Sequence, residues 1–230
     1  MSISLAITDL ALDRGGRRLF EGLSFMLEPG QALALTGPNG VGKTSLLRAL
    51  GGLLRPAEGR VQLSAQGAPL TPAQTRAALH WQGAADGLKP SRTAEAELRF
   101  WAEWCAEGAL SRPAAPAVSS AAQRGRKLGP QARDGGALTQ ALQALGLADQ
   151  ARTDVRRLST GQRRRLALAR LLAVPRPLWL LDEPLAPLDA EWRARVGRLM
   201  QSHLDSGGLL IAAVHDPLPV PAPELRLETA

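Results

Sequence analysis

A glycine-rich segment is the first part of this sequence whose residue types and spacing point to chemistry. It matches the phosphate-binding loop pattern, in which glycines let backbone N–H groups turn towards phosphate oxygens. An apolar strand predicted over Ala32–Thr36 leads into it, and a helix predicted from Lys43 to about Gly51 follows. The alternative is a turn without a ligand. The segment consists of Gly37, Pro38, Asn39, Gly40, Val41, Gly42, Lys43 and Thr44, and Ser45 follows it.

The loop predicts a nucleoside triphosphate and Mg²⁺ as ligands. Lys43 is expected to reach the β- and γ-phosphates, because the pattern places a lysine at this position for that contact. The hydroxyl of Thr44 is expected to bind Mg²⁺.

Two adjacent carboxylates follow a second apolar strand, predicted over Leu178–Leu181. A buried strand would place them at the carboxyl end of a sheet, where open α/β sheets bind their ligands. Asp182 is expected to hold Mg²⁺, and Glu183 is expected to act as the general base for an attacking water. The alternative is a strand end followed by a helix-capping aspartate.

A third candidate is the run Leu-Ser-Thr-Gly-Gln at residues 158–162. Ser159 and the backbone amides of Gly161 and Gln162 lie where a helix predicted over Gly161–Val174 begins, and a helix N-terminus favours an anion. The alternative is a capping box, with Ser159 as the N-cap and Gln162 at N3.

The elements that must position these residues alternate between strand and helix. In the last third of the chain, helices are predicted over Gly161–Val174 and Ala190–Leu204, and strands over Leu178–Leu181 and Leu209–Val214. Such alternation predicts a mainly parallel sheet covered by helices. Further strands are predicted over Ile3–Leu10, Leu23–Leu27, Gly59–Leu63 and Ala78–Trp81.

The middle of the chain is predicted to be helical but interrupted. Thr93 can cap a helix to about Cys105, with Leu98, Trp101 and Trp104 or Cys105 as its apolar stripe. Residues 108–136 are rich in Ala, Pro, Ser, Gly and Arg and contain almost no large apolar side chain, which predicts a disordered insertion. Helical periodicity returns at Leu138, Leu142 and Leu145.

The combined motifs resemble the ABC ATPase family, because Leu158–Gln162 is similar to the LSGGQ signature of that family. The resemblance implies an α/β fold with a RecA-like phosphate-loop core, an antiparallel β subdomain and a helical signature subdomain. Residues 1–230 would form one ATPase domain, with residues 86–160 as the helical part. It also implies a homodimer, in which Ser159 contacts the γ-phosphate of ATP held by the other protomer.

Two more residues acquire roles through that resemblance. Asp189, after Leu188, resembles the aspartate of the D-loop, which crosses the dimer interface. His215 resembles the switch histidine that contacts the γ-phosphate, although a lone histidine after a strand is by itself usually incidental.

Two positions depart from the family pattern. Many members place an aromatic residue near the end of the first strand, where it stacks on adenine, but this chain has Asp13-Arg14-Gly15 there. Arg14 or Phe20 would have to serve, or the stacking is absent. The Q-loop residue is also unassigned, although Gln82 lies near the expected place.

Within the family, the chain is most similar to the CcmA ATPases of cytochrome c maturation. That branch implies integral membrane partners of the CcmB and CcmC type, a peripheral location on the cytoplasmic face of the inner membrane, and a role in handling heme. A transporter ATPase for another substrate remains an alternative, as does a soluble ABC ATPase without a transport role. The matches that carry this assignment are Arg14, Leu19–Phe25, Asp86–Lys89, Arg163–Leu171 and Trp179.

Composition excludes several other classes. The net charge of +7 is concentrated at Arg124–Arg133 and Arg163–Arg165, and few aromatic residues are available to stack bases, so no nucleic-acid partner is expected. A single cysteine excludes an internal disulfide and fits a reducing compartment. No signal peptide or membrane span is expected. The three histidines form no heme-attachment pattern, so no direct heme binding is expected.

Overall fold

The computed structural model describes residues 3–110 and 135–228. The chain divides into two compact units, one of residues 1–87 and 176–230 and the other of residues 88–175. Residues 111–134, which make up most of the predicted insertion, lie outside the described residues. Among the described helices, none is long and apolar enough to cross a bilayer.

Nine strands and six helices are described in these two ranges. The strands are β1 Ile3–Arg14, β2 Arg17–Leu27, β3 Ala32–Thr36, β4 Glu58–Ala65, β5 Ala68–Pro69, β6 Leu79–Gln82, β7 Leu178–Asp182, β8 Leu209–Ala213 and β9 Glu224–Arg226. The helices are α1 Lys43–Leu50, α2 Pro72–Ala78, α3 Ala94–Leu110, α4 Gly135–Ala144, α5 Thr160–Ala173 and α6 Ala190–Asp205.

A five-stranded parallel sheet forms the centre of the first unit, in the order β6-β7-β8-β3-β9. Strands β7 and β8 are buried along their whole length, as expected for apolar runs in a parallel sheet. All five strands run in the same direction, so their carboxyl ends meet at one edge. The predicted parallel sheet is therefore confirmed.

The antiparallel sheet of the first unit has the order β2-β1-β4-β5. In β1 the buried residues Ile3, Leu5 and Ile7 alternate with less buried ones, which is the pattern of a sheet with one face on the core. Buried side chains from both sheets and from α1 belong to one hydrophobic cluster. This core fixes where α1 and the preceding loop lie.

The observed elements extend or add to the sequence predictions. Strand β1 continues four residues past the predicted end at Leu10, and β2 begins at Arg17 rather than at Leu23. Helix α2 has no buried residue, so no apolar periodicity reveals it. Its capping box, formed by Thr71 and Gln74, is the signal from which the sequence could have predicted it.

Helices α3, α4 and α5 build the second unit. The hydroxyl of Thr93 accepts a hydrogen bond from the amide of Ala96, so the predicted cap of α3 is present. Leu98 and Cys105 are buried, but Trp104 is 62% exposed, so Cys105 completes the apolar stripe. This unit ends at residue 175 and includes α5, which packs against both α3 and α4.

A buried carboxylate joins two of these helices. Glu97 of α3 is 3% exposed and lies 2.8 Å from the guanidinium of Arg170 on α5 and 3.1 Å from that of Arg92. Arg170 also lies over the ring of Trp101, at 4.8 Å from its centroid. Removing one residue of such a buried ion pair leaves the charge of its partner buried without compensation, which destabilises the fold.

We therefore expect Glu97→Ala to lower the free energy of unfolding by about 3 kcal/mol, because it leaves Arg170 buried without its carboxylate. Denaturant unfolding measures the change. Glu95→Ala is the matched control, since Glu95 pairs with Arg99 at the exposed surface of the same helix, and it should cost about 0.5 kcal/mol or less. Equal losses for the two variants would contradict this account.

Candidate active site

The loop between β3 and α1 follows a path that only glycine fits at two positions. Gly37 has a φ of +128°, and a Cβ there would lie 2.4 Å from the carbonyl oxygen of Leu227. Gly42 has a φ of +118°, and its Cβ would lie 3.3 and 3.4 Å from carbons of Leu19 and Phe20. Both the backbone conformation and the lack of space disfavour any side chain. The β1–β2 hairpin and β9 thus hold the loop from two sides.

The interior of the loop is arranged for an anion. Gly42 is the N-cap of α1 and has no side chain that could cap the first N–H groups of the helix, so an anion fits there. The ammonium group of Lys43 donates to the carbonyl oxygens of Gly37 and Pro38, at 2.7 and 3.2 Å. Val41 is buried and packs in the core. The exposed rim of the loop consists of Pro38, Asn39 and Gly40.

A hydrogen bond joins the loop helix to the acidic pair. The hydroxyl of Thr44 donates to Oδ2 of Asp182 at 2.8 Å, although 138 positions separate the two residues in the sequence. Asp182 is the last residue of β7 and is 5% exposed. A hydroxyl and a carboxylate oxygen in contact are the hard oxygen donors that Mg²⁺ prefers, so these two residues fit that ion.

Glu183 lies in a backbone conformation that is rare for its residue type. Its φ is +51°, and its amide donates to the carbonyl oxygen of Ala213 on β8 at 3.0 Å. Strained residues of this kind concentrate at functional sites. Oε1 of Glu183 lies 3.2 Å from Nε2 of His215. Burial raises the pKa of the Glu183 carboxyl above its usual value, and the nearby His215 opposes that rise.

The second unit contains the Leu-Ser-Thr-Gly-Gln run. The hydroxyl of Ser159 accepts from the amide of Gln162 at 3.2 Å, and Oε1 of Gln162 accepts from the amide of Ser159 at 2.8 Å. The capping box, which was the alternative interpretation, is therefore present, and Gly161 lies in the first turn that it caps. A hydroxyl that accepts one hydrogen bond keeps its own proton to donate, so the cap is compatible with an anion contact.

Four other candidates occupy distinct places. Asp189 is the N-cap of α6, and its carboxylate accepts from the amide of Trp192 at 2.9 Å. Gln82 is the last residue of β6 and is 4% exposed, and its amide group donates to the carbonyl of Gly83. Of the two candidates for stacking on adenine, Phe20 is enclosed in the core, whereas Arg14 is exposed.

Sequence reasoning missed two contacts of the loop. Leu227, whose carbonyl lies against Gly37, follows a three-residue strand that comes directly after a proline-rich stretch and has no periodicity of its own. Only its parallel pairing with β3 defines this strand. The guanidinium of Arg14 donates to the hydroxyl of Ser45 at 3.4 Å, a contact between strands and helices far apart in the sequence.

Comparison with known proteins identifies the family. A model of the ABC transporter family matches residues 20–186. The chain belongs to the ABC transporter family. It is 45% identical to "Cytochrome c biogenesis ATP-binding export protein CcmA" of Rhodopseudomonas palustris (strain BisB5), over 94% of each chain. It is 38% identical to the protein of the same name from Mesorhizobium japonicum, over 98% of each chain.

These relatives narrow the assignment to the CcmA group of ABC ATPases, as the sequence resemblance indicates. The chain is thus an ATP-binding and ATP-hydrolysing subunit of an ABC transporter. A putative ABC transporter ATP-binding protein from Pyrococcus furiosus has the same fold, with a TM-score of 0.74 at 20% identity over 97% of each chain. The predicted fold class is therefore confirmed.

Gly37→Ala should distort the loop, because the added methyl group would overlap the carbonyl oxygen of Leu227. We expect the free energy of unfolding to fall by about 2 kcal/mol and ATP binding to weaken at least tenfold. Gly40→Ala is the control, since its φ is also positive but nothing lies within 4 Å of its Cβ. It should cost about 1 kcal/mol. Thermal unfolding and binding of a fluorescent ATP analogue measure both effects, and equal effects would contradict the role of Leu227.

Proposed function

We propose that this chain hydrolyses ATP for a membrane complex that serves cytochrome c biogenesis. The observation that carries the proposal is the meeting of the phosphate loop, Asp182, Glu183 and His215 at one edge of the parallel sheet. The names of the relatives, which describe ATP-binding export proteins of cytochrome c biogenesis, support the biological part of the proposal. In this proposal, hydrolysis drives release of a heme-loaded chaperone on the other side of the membrane.

The loop and α1 bind the triphosphate of ATP. The ammonium group of Lys43 now lies against two loop carbonyls, and it would turn from them to the β- and γ-phosphates. Thr44 and Asp182 would hold Mg²⁺ between the helix and the strand, which neutralises charge on the phosphates when it is bound. The contact between Thr44 and Asp182 keeps both ligands in place before the ion arrives.

Glu183 and His215 act on the γ-phosphate end of ATP. Glu183 accepts a proton from the attacking water as the water oxygen bonds to the γ-phosphorus and the bond to ADP breaks. The raised pKa makes this carboxylate a stronger base than an exposed glutamate. His215, at 3.2 Å from the same carboxylate, holds it in position and contacts the γ-phosphate.

The complete enzyme would be a homodimer. Ser159 and the amides of its helix would contact the γ-phosphate of ATP bound to the other protomer, and Asp189 would lie at the interface. Integral membrane subunits of the CcmB and CcmC type would hold the dimer at the cytoplasmic face of the inner membrane. Dimer closure around ATP would then move those subunits.

Glu183→Gln should preserve ATP binding but reduce turnover about a hundredfold or more, because the amide cannot accept the proton. The variant should also accumulate as an ATP-bound dimer, since hydrolysis no longer separates the protomers. Phosphate release and size-exclusion chromatography measure the two effects. Glu191→Gln, an exposed residue at the start of α6, is the charge-matched control. Hydrolysis at the wild-type rate in Glu183→Gln would place the base elsewhere.

Cells whose only copy carries Lys43→Ala or Glu183→Gln should lack c-type cytochromes with covalent heme, while their b-type cytochromes stay normal. Heme-loaded chaperone should accumulate in the membrane fraction, because heme synthesis continues while its release stalls. Heme staining of denaturing gels and difference spectra measure these pools. Normal covalent staining would exclude the heme role and leave a transporter for another substrate.

A further inference from the structure

The segment that carries His215 lies beyond the end of the parallel sheet. The amide of Val214 donates to the carbonyl oxygen of Leu35 at 3.1 Å, but residues 215–222, all of which the structure describes, form neither helix nor strand. The side chain of His215 is 55% exposed and borders an open cleft of about 340 Å³ beside the start of the phosphate loop. Packing alone therefore does not fix the position of the imidazole.

Helix α6 makes two contacts with this segment from one of its faces. Gly197 lies so close to Pro219 that a Cβ on it would be 2.9 Å from two carbons of the proline. Four residues earlier in the helix, Nη1 of Arg193 donates to Oδ2 of Asp216 at 2.8 Å. Residues four apart share a face of a helix, so α6 holds the segment at two points. One of these points is directly beside His215.

The guanidinium of Arg193 is itself anchored to the backbone at the start of α6. Nε of Arg193 donates to the carbonyl oxygen of Leu188 at 3.0 Å. Leu188 is 5% exposed, and Asp189 caps the helix by accepting from the amide of Trp192 at 2.9 Å. The carbonyl is therefore a fixed point. The planar fork of the guanidinium joins this point to Asp216 at a set distance.

Folding stability alone does not explain an arginine at this position. Positive charge near the N-terminus of a helix is disfavoured by the helix dipole, and Arg193 is the fourth residue of α6. The side chains of Arg193 and Asp216 are 37% and 69% exposed, and ion pairs with such exposure contribute little to folding. The pair does restrain the neighbour of His215, whose Nε2 lies 3.2 Å from Oε1 of Glu183.

We propose that Arg193 is a positioning residue for ATP hydrolysis, which acts through Asp216 to hold His215 beside Glu183 and towards the γ-phosphate. The proposal rests on the proposed function, because it requires the roles given there to His215 and Glu183. The described hydrogen bonds of the Arg193 side chain go to Leu188 and Asp216 and not to the phosphate loop. Loss of Arg193 should therefore slow hydrolysis without weakening the binding of ATP.

Steady-state phosphate release by the full chain, together with binding of a fluorescent ATP analogue, separates the two effects. Arg193→Ala should lower kcat about tenfold, because a displaced contact to the reacting group slows the chemical step. KM and the dissociation constant of the analogue should change less than about twofold. The melting temperature should fall by no more than about 3 °C, since the ion pair is exposed. A Kd that rises as much as kcat falls would assign Arg193 to ATP binding and overturn the proposal.

Two further variants of α6 sharpen this comparison. Arg193→Lys keeps the charge, but an ammonium group lacks the planar fork that spans both partners, so kcat should stay about threefold below that of the wild type. Arg195→Ala is the matched control, because it removes the same charge from the same helix. The guanidinium of Arg195 lies over the ring of Trp192 at 4.8 Å from its centroid. This control should leave kcat and KM unchanged.

A double-mutant cycle shows whether Arg193 acts through Asp216. Asp216→Ala should lower kcat by the same factor as Arg193→Ala, and the double variant should be no slower than either single variant. In a His215→Ala background, measured in single turnovers, Arg193→Ala should slow hydrolysis by less than about twofold. Additive losses in either cycle, or a wild-type kcat in Arg193→Ala, would overturn the proposal. A wild-type chain that does not hydrolyse ATP, or a His215→Ala variant with the wild-type rate, would instead refute the proposed function.

Discussion

The hydrogen bond between Thr44 and Asp182 is the interaction on which the rest of the site depends. It joins residues 138 positions apart, and it forms only because β3 and β7 run in the same direction and end at the same edge of the sheet. Strand β8 lies between them and places His215 after its own end. Three strand ends thus bring together the phosphate loop, two carboxylates and an imidazole. A different strand order would separate these groups by the width of the sheet.

Contacts from other segments of the chain fix the conformation of the β3–α1 loop as much as its own sequence does. The carbonyl of Leu227 lies under Gly37, and the side chains of Leu19 and Phe20 lie under Gly42. The antiparallel sheet and the C-terminal strand β9 therefore act as supports for a phosphate site to which their own side chains contribute little. Arg14 is the exception, because β1 extends far enough to bring its guanidinium to the helix that follows the loop.

Glu183 combines backbone strain, partial burial and a neighbouring imidazole in one residue. Its left-handed backbone turns the chain immediately after Asp182, so the two adjacent carboxylates need not share one direction. Burial raises its pKa, and the nearby imidazole limits the rise, so the carboxylate is both basic and ionisable. In the second unit, the reciprocal cap of Ser159 and Gln162 fixes the start of α5 while leaving the hydroxyl proton of Ser159 free to donate.

The sequence by itself predicted the residues of the candidate site, and it determined the type of fold. The spacing of Gly37, Gly42, Lys43 and Thr44 depends on local backbone geometry, and Asp182 follows an apolar strand, so short-range patterns were sufficient. The parallel sheet also followed from the alternation of strands and helices. The sequence did not predict the short elements β9 and α2, because neither is long enough to repeat an apolar period.

Only the tertiary structure decided which distant residues meet. The sequence left Arg14, Phe20 or no stacking residue as alternatives for the base, and the structure shows that Phe20 packs in the core while Arg14 is exposed. The contact of Glu97 with Arg170 and that of Gly37 with Leu227 were equally invisible in the sequence. These contacts depend on sheet order and helix packing, which set distances between segments that no local pattern of residues records.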